Sequence, residues 1–600
     1  MIIKSEYEIS EVRNLVNSIR YRNKADLIIK NVNIVDVITG SIDKGSILIR
    51  DKYIMLLSER EGDYSAFNTF DAKDLYAIPG FIDSHTHIES SMTIPSLYSF
   101  YQLKEGVTTA IVDPHEIVNV AGLEGLKAFI DDLERSPMKF IVQIPPCIPA
   151  SDENLETSGA LLSSAGIEEA IRERDLADRV SGLAEVMCYE KILWNDEDLF
   201  KKIMLIYERG FVIDGHASGL KGYDLQAYVA SRIMTDHTVR KTNELLERLK
   251  LGLYIQIQNR PQESDFSGIV KQLRSLESSR VMWCTDDAEA DEIASGKYSV
   301  RAIVRDAIEN GLDPVKAIKM ATINVAQAYR VDTKLGIISP GRYADIVLVH
   351  SLDNLNIHTV LTNGKIVFHH GKLLLEIPEP SPQLLKFKGN TIKLKREIRA
   401  DDLLPVAPVE KGLARVRVLN IDGGLEMRET KIDNYIVMCD PGRDIAWMNV
   451  IERYGKTGNI SRGFVTGTGV KVGAFVSSIS HDSHNILVVS VDVKSSLVCL
   501  KEIMKTGGGL CLAKNGDIIS LIPLPFYGLM SSDPDLPEKL RIFKEELNNL
   551  GFKVPLKRLL TLTLPVRKTG FAITDKGLVD YRRKEILPII VSINENDEKH

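Results

Sequence analysis

The chain has 600 residues, 44% hydrophobic and 26% charged, an ordinary globular composition with length for several cores. A formal net charge of -7 and the lack of a dense Lys/Arg tract argue against nucleic acid as a partner. No apolar run reaches the roughly 18 to 20 residues that cross a bilayer. The start "MIIKSEYEISEVRNLV" carries charges where a signal peptide needs an apolar core. A soluble, cytoplasmic protein with no membrane partner is expected. Its six scattered cysteines lack any C-x-x-C pair and are expected to be reduced.

In chain order, residues 1–24 read as a helical segment, with Ile9, Val12, Leu15, Val16 and Ile19 at helical spacing. Residues 25–78 hold short β-rich runs broken at Thr39-Gly40, Lys44-Gly45 and Asp51-Lys52, which is hairpin grammar. From 79 to 330 apolar strand runs such as "TTAIVDPHE", "KFIVQIPPC", "GLAEVMC" and "GFVIDGHAS" alternate with amphipathic stretches. Repeated strand–helix units predict a parallel sheet with helices outside it, and about eight of them over about 250 residues fit a (β/α)8 TIM-like barrel. β grammar returns after Gly336, so 25–78 plus 331–385 read as one small composite β-sandwich domain flanking the barrel. The Pro-rich stretch at 377–390 marks a boundary. Lys386 to Arg399 reads as alternating strand surface, and 391–600 as a C-terminal α/β or α+β domain.

In such a barrel, catalytic groups come from the C-terminal ends of several strands. In "PGFIDSHTHIESSM", His85 and His87 are two apart on a strand and present both imidazoles to one face, half of a metal site. Ligand-type residues also end other apolar runs: Glu185, His216, His237 and Asp286, the last followed by Asp287. Each alone has an ordinary structural explanation; together, in a chain with 12 histidines, they point to a site. Four imidazoles and two carboxylates exceed the three protein ligands usual for one catalytic ion and suit two divalent metals sharing a carboxylate and a water or hydroxide. Glu185 is the natural bridge, and Asp286 can also accept the proton of the attacking water. Nitrogen and oxygen donors fit zinc, manganese or iron.

These motifs, with "VDPHEI", "TDH", "CTDD", "PGRYADIV" and the later "SSISHDSHNILVV", "IPLPFYGLM" and "TDKGLVD", resemble the adenine deaminases of the amidohydrolase superfamily over nearly the whole chain from about residue 25. The resemblance implies an enzyme that hydrolyses adenine, a small-molecule purine, to hypoxanthine and ammonia. It implies a binuclear metal centre, with manganese or iron the common metals and a bridging hydroxide attacking C6. Carried over residue by residue, it implies metal ligands at His85, His87, Glu185, His216, His237 and Asp286, and a C-terminal adenine deaminase-type domain at 391–600. A homo-oligomer is common in this superfamily. The PCxxC motif of the cytidine-type zinc deaminases is absent.

Beside this set, Glu89, Asp113, His115 and Glu116 either contact substrate or support the metal-bound imidazoles; a turn at Asp113-Pro114 is the alternative for the last three. "SHDSHN", with His481 and His484, is either a contact reaching in from the C-terminal domain or a polar loop on the barrel mouth. The family pattern changes at Thr238, Gln258-Asn259-Arg260 and Lys297. These changes keep open an amidohydrolase acting on another aminopurine or a cyclic amide. A non-catalytic binding relative is disfavoured by the intact ligand set.

Overall fold

The computed structural model describes residues 9–59, 64–172, 174–177, 179–260, 264–276, 279–564 and 570–594. At its centre run eight parallel strands: β1 Phe81–Thr86, β2 Val107–Val112, β3 Lys139–Ile144, β4 Val180–Val186, β5 Val212–Gly215, β6 Thr235–Asp236, β7 Tyr254–Ile257 and β8 Val281–Trp283. β1 to β5 form one ladder in chain order and β6 to β8 another. The two ladders meet where Met234 N–H donates to Ile213 O at 2.9 Å, and the ring closes at the Thr86–Asp286 bridge. Helices such as Pro95–Lys104, His115–Leu133 and Val300–Glu309 fall between and after the strands. β2 and β3 are buried at every residue, as a parallel sheet covered on both faces requires. The eight expected strand–helix units are therefore present.

A nine-stranded sheet joins the segments on either side of the barrel. Tyr76–Pro79 pairs antiparallel with Ile346–Val349, across more than 250 residues of intervening barrel. Lys139, buried at the start of β3, reaches Asp345 of "PGRYADIV" at 2.6 Å, which fastens the barrel to this sheet. Lys44-Gly45, read as a turn, lies inside the strand Ile42–Arg50. A Cβ at Gly45 would stand 2.9 Å from Ser58 O, so close backbone approach explains that glycine.

The N-terminal helix spans Ile9–Arg20, resting Leu15 and Ile19 on the nine-stranded sheet; the first eight residues of the expected helical segment lie outside the described residues. Lys386 to Arg399 forms turns and irregular chain, not the expected strand. Its alternating Ile392, Leu394 and Ile398 pack on the C-terminal core without joining the ladder. That core is built on a ten-stranded sheet, antiparallel except where Leu419 meets Val465, covered by the helices Val493–Thr506 and Leu536–Asn549. It is the α+β form of the two expected. No described helix is long and apolar enough to cross a membrane.

The expectation of six reduced thiols fails at one pair. Cys147 and Cys188 form a disulfide with Cα atoms 6.0 Å apart. Sequence spacing hides the pair, because the two residues are 41 apart. They follow the adjacent strands β3 and β4, and parallel pairing sets their loops side by side. Cys284, Cys439, Cys499 and Cys511 are free.

Candidate metal centre and adjoining cleft

At the C-terminal ends of the strands, the six residues of the expected ligand set come together. The rings of His85 and His87 lie 4.7 Å apart between centroids, with their Nε2 atoms 3.1 Å from each other. From the end of β4, Glu185 places Oε1 3.5 Å from His87 Nε2. Its Oε2 lies 2.5 Å from His216 Nδ1 and 3.3 Å from His237 Nε2. Asp286 Oδ1 stands 3.2 Å from His87 Nε2 and 3.7 Å from His85 Nε2. Asp286 has φ 56, a left-handed conformation that aspartate tolerates better than most residues. Its N–H donates to His85 O at 3.0 Å, and its carbonyl accepts from His87 N–H at 3.4 Å. The turn after β8 is thereby locked to β1.

Surrounding groups fix these side chains. His87 Nδ1 meets the Asp113 carbonyl at 3.0 Å, an acceptor behind the ring that aims Nε2 at the cluster, the arrangement usual for metal-bound imidazole. Tyr228 OH accepts the His216 N–H at 2.7 Å and donates to Val186 O at 2.7 Å. Asp113 Oδ2 accepts the Glu185 N–H at 3.1 Å, while Oδ1 lies 3.2 Å from His115 Nδ1. Burial alone would raise the Glu185 carboxyl, but His216 and His237 outweigh it and hold it well below the usual range. Burial likewise opposes the charge on Asp286, and the His87 hydrogen bond with the nearby His237 and Lys557 outweighs it. Both carboxylates are anionic at neutral pH. Convergent nitrogen and oxygen donors without thiolate fit a divalent cation.

The three departures from the family pattern fall in different places. Thr238 donates from Oγ1 to Asp236 Oδ1 at 2.7 Å, so it braces the turn behind His237. Lys297 is exposed. Asn259 donates to Asp306 at 2.6 Å, and the Arg260 guanidinium stacks 3.8 Å from the Tyr298 ring centre. Gln258 alone of these touches the cluster, donating from Nε2 to Asp286 Oδ2 at 2.7 Å and to His237 O at 3.2 Å.

A cleft adjoins the cluster, walled by Glu89, Ser90 and Asp287 on the barrel side and by Ile479, His481 and Leu529 on the C-terminal side. Glu89 accepts the Ile117 N–H on Oε1 at 3.3 Å, while Oε2 is buried without a hydrogen-bond partner. Ser90 donates to Asp287 Oδ1 at 2.7 Å, and Lys557 pairs with Oδ2 at 3.3 Å. Neither Ser90 nor Lys557 stands out in the sequence, since a serine in "ESSM" and a lysine in "PLKR" carry no spacing signal.

Glu116 turns away from the cluster toward the C-terminal domain, where its two oxygens receive His481 Nδ1 and His484 Nε2. All three are buried. They could surround a cation, but His484 Nδ1 accepts the Ser480 N–H at 3.3 Å, so the ring proton sits on Nε2 and faces Glu116. Burial opposes a charge on His481, yet Glu116 raises it to about 9, whereas burial keeps His484 below its ordinary value. One charged and one neutral imidazole both donate to one carboxylate. This clasp joins barrel and C-terminal domain, and His115 bridges it to the centre, 3.5 Å from Glu116 Oε1 and 3.7 Å from Glu185 Oε1.

The amidohydrolase family model matches residues 76–367, and the adenine deaminase C-terminal domain model matches 424–585. An adenine deaminase of Staphylothermus marinus is 33% identical over 97% of this chain and 98% of its own length. The chain belongs to the adenine deaminase family. Relatives named adenine deaminase from Thermosipho melanesiensis, at 35% identity over 95% of this chain and 97% of theirs, and from Halalkalibacterium halodurans, at 34% over 93% and 95%, extend the same match. This adenine deaminase family member keeps its clasp histidines inside the matched C-terminal region.

Proposed function

We propose that the protein hydrolyses adenine to hypoxanthine and ammonia, using the cluster as a divalent-metal centre and the adjoining cleft as the purine pocket. The observation that carries this reading is the convergence of His85, His87, Glu185, His216, His237 and Asp286, with N–O separations of 2.5 to 3.7 Å, in a chain of this family. Glu185 would bridge two cations, with His85, His87, His216, His237 and Asp286 as the other ligands. When bound, such cations supply a water acidic enough to attack at neutral pH and offset the charge that grows on the ring. Manganese or iron, with zinc as the alternative, suits the donors.

The reaction forms a C6–O bond and breaks the C6–N bond of adenine. One proton of the added water ends on the departing amine, which leaves as ammonia, and the other ends on ring N1. Asp286 is the proton acceptor: its carboxylate is anionic, and Gln258 holds Oδ2 so that Oδ1 faces the cluster. The same oxygen then delivers the proton to the amine, general base followed by general acid. Glu89 Oε2 is assigned to a purine ring N–H, because a buried acceptor without a partner gains most from a donor. Ile479 and Leu529 give the flat ring an apolar wall. Asp113 and His115 hold the Glu185 side of the centre in place.

The domain division proposed is a helical segment at 1–24, a composite β domain at 25–78 plus 331–385, the barrel at 79–330 and a C-terminal domain from 391. A cytoplasmic homo-oligomer completes the reading. Gln258 beside Asp286 favours one second reading, that another aminopurine or a cyclic amide is turned over faster. The test is ammonia release by the manganese-loaded protein from adenine, 2,6-diaminopurine, guanine and a cyclic amide. Adenine should lead. A clear preference for another compound would replace adenine as the substrate.

A further inference from the structure

Outside the barrel, one corner of the nine-stranded sheet carries four of the chain's 12 histidines. His358 lies on the strand Ile357–Thr362, His369 ends the strand Lys365–His369, and His370 begins the turn that follows. His350 comes just after Ile346–Val349. Pairing of Thr359 opposite His369 brings the rings together. The His370 ring centre lies 4.2 Å from those of both His358 and His369. One ring nitrogen from each of the three lies within 4.8 Å of the others. His350 stands 5.3 Å from His358 between ring centres.

Gathered imidazoles repel one another when protonated, so this corner favours neutral rings with free lone pairs. Burial, then His370, His369 and His350, with Lys73 last, push His358 down to about 4; burial and His370 also lower His369. Thr359 Oγ1 stands 2.8 Å from His358 Nδ1 and 2.9 Å from His369 Nδ1. A hydroxyl oxygen has two lone pairs and can accept from both rings. Rings that donate from Nδ1 keep their lone pairs on Nε2, and an acceptor behind the ring is the usual support of metal-bound histidine. Thr359 itself is fully buried, and His370 N–H donates to His358 O at 3.0 Å. The corner is held by backbone as well as side chains.

We propose that His358, His369 and His370 bind one divalent cation of the imidazole-preferring kind, zinc, nickel or copper, at a site separate from the barrel centre. No carboxylate belongs to this trio, so harder cations such as manganese or magnesium gain little there. The barrel centre, with two carboxylates, has the opposite bias. Three protein ligands leave a position for water or for His350. The bound ion ties the hairpin 357–369 to the turn after it.

The test uses the untagged full-length protein, loaded with manganese, desalted and titrated with nickel by calorimetry. His370→Ala, at an exposed turn position, and the double variant His369→Ala/His370→Ala are titrated alongside. Wild type should take up one nickel per chain with micromolar affinity, and the double variant none. His370→Ala should bind at least tenfold more weakly. Manganese content should be the same in all three, and nickel should raise the melting temperature most in wild type, less in His370→Ala and not at all in the double variant. Equal nickel uptake by wild type and double variant would overturn the proposal, as would wild-type affinity in the millimolar range, which is adventitious surface binding only. If the double variant unfolds, the folded His370→Ala protein decides: unchanged nickel affinity there overturns the site.

Discussion

Gln258 Nε2 donates to Asp286 Oδ2 at 2.7 Å while its own position is fixed by a second bond to His237 O at 3.2 Å. One side chain thus ties β7 to the loops after β6 and β8 and leaves a single Asp286 oxygen, Oδ1, facing the histidines. A group that orients a reacting carboxylate without touching substrate acts on turnover more than on binding. Gln258→Leu should lower kcat by about 10- to 100-fold with KM changed far less, as measured by steady-state kinetics. Equal loss in kcat and rise in KM would instead place Gln258 on the substrate.

Lys297 and Thr238 sit at the other two departures, and neither touches the cluster. Lys297→Ala should leave kcat/KM within about twofold, because exposed positions away from such features tolerate change. A large fall with adenine would show that a solvent-facing lysine reaches the substrate during turnover.

Glu116, His481 and His484 clasp the barrel to the C-terminal domain in a buried setting. Breaking a buried ionic contact by removing one partner costs roughly 3–5 kcal/mol, so His481→Ala should lower stability to chemical denaturant by that order. The pH dependence has a definite sign. His481 is raised from 6.5 to about 9, so its contribution is complete below 6.5 and fades as pH rises through about 9. The stability gap between wild type and His481→Gln should therefore narrow between pH 6.5 and 9. A gap that stayed constant over that range would mean that His481 is neutral in the clasp.

The disulfide gives a direct count. Unfolded under non-reducing conditions, the protein should expose four reactive thiols and gain two more with reductant. Cys188→Ser should lower stability by roughly 2–4 kcal/mol, read from denaturant midpoints. Six thiols before reduction would show the pair to be open.

Much of this fold is visible in the sequence because its signals are periodic and local. The runs at β1, β4 and β5 are short, and His85, Glu185 and His216 stand at their ends, so the barrel and its ring of polar residues can be read together. The Cys147–Cys188 pair cannot, since its proximity comes from strand order across 41 residues. Gln258 is visible only as a change from a pattern; its bond to Asp286 depends on how two loops fold back. The clasp is half legible: "SHDSHN" attracts notice, but Glu116 as its partner lies more than 300 residues away. Gly45 and the stretch Lys386 to Arg399 mislead, because a glycine required for close strand approach looks like a turn and alternating apolar residues look like a strand.

The most direct test of the metal centre pairs elemental analysis with adenine turnover in chelator-treated protein reconstituted stepwise with manganese, for wild type, His85→Ala and Asp286→Asn. Wild-type activity should rise with manganese and level off near two ions per chain. His85→Ala should lose metal and activity together, and Asp286→Asn should keep most of its metal while kcat falls about 10²- to 10⁴-fold. Full activity in metal-free wild type, or near-normal turnover by Asp286→Asn, would contradict a metal centre at these six residues with Asp286 as its proton acceptor.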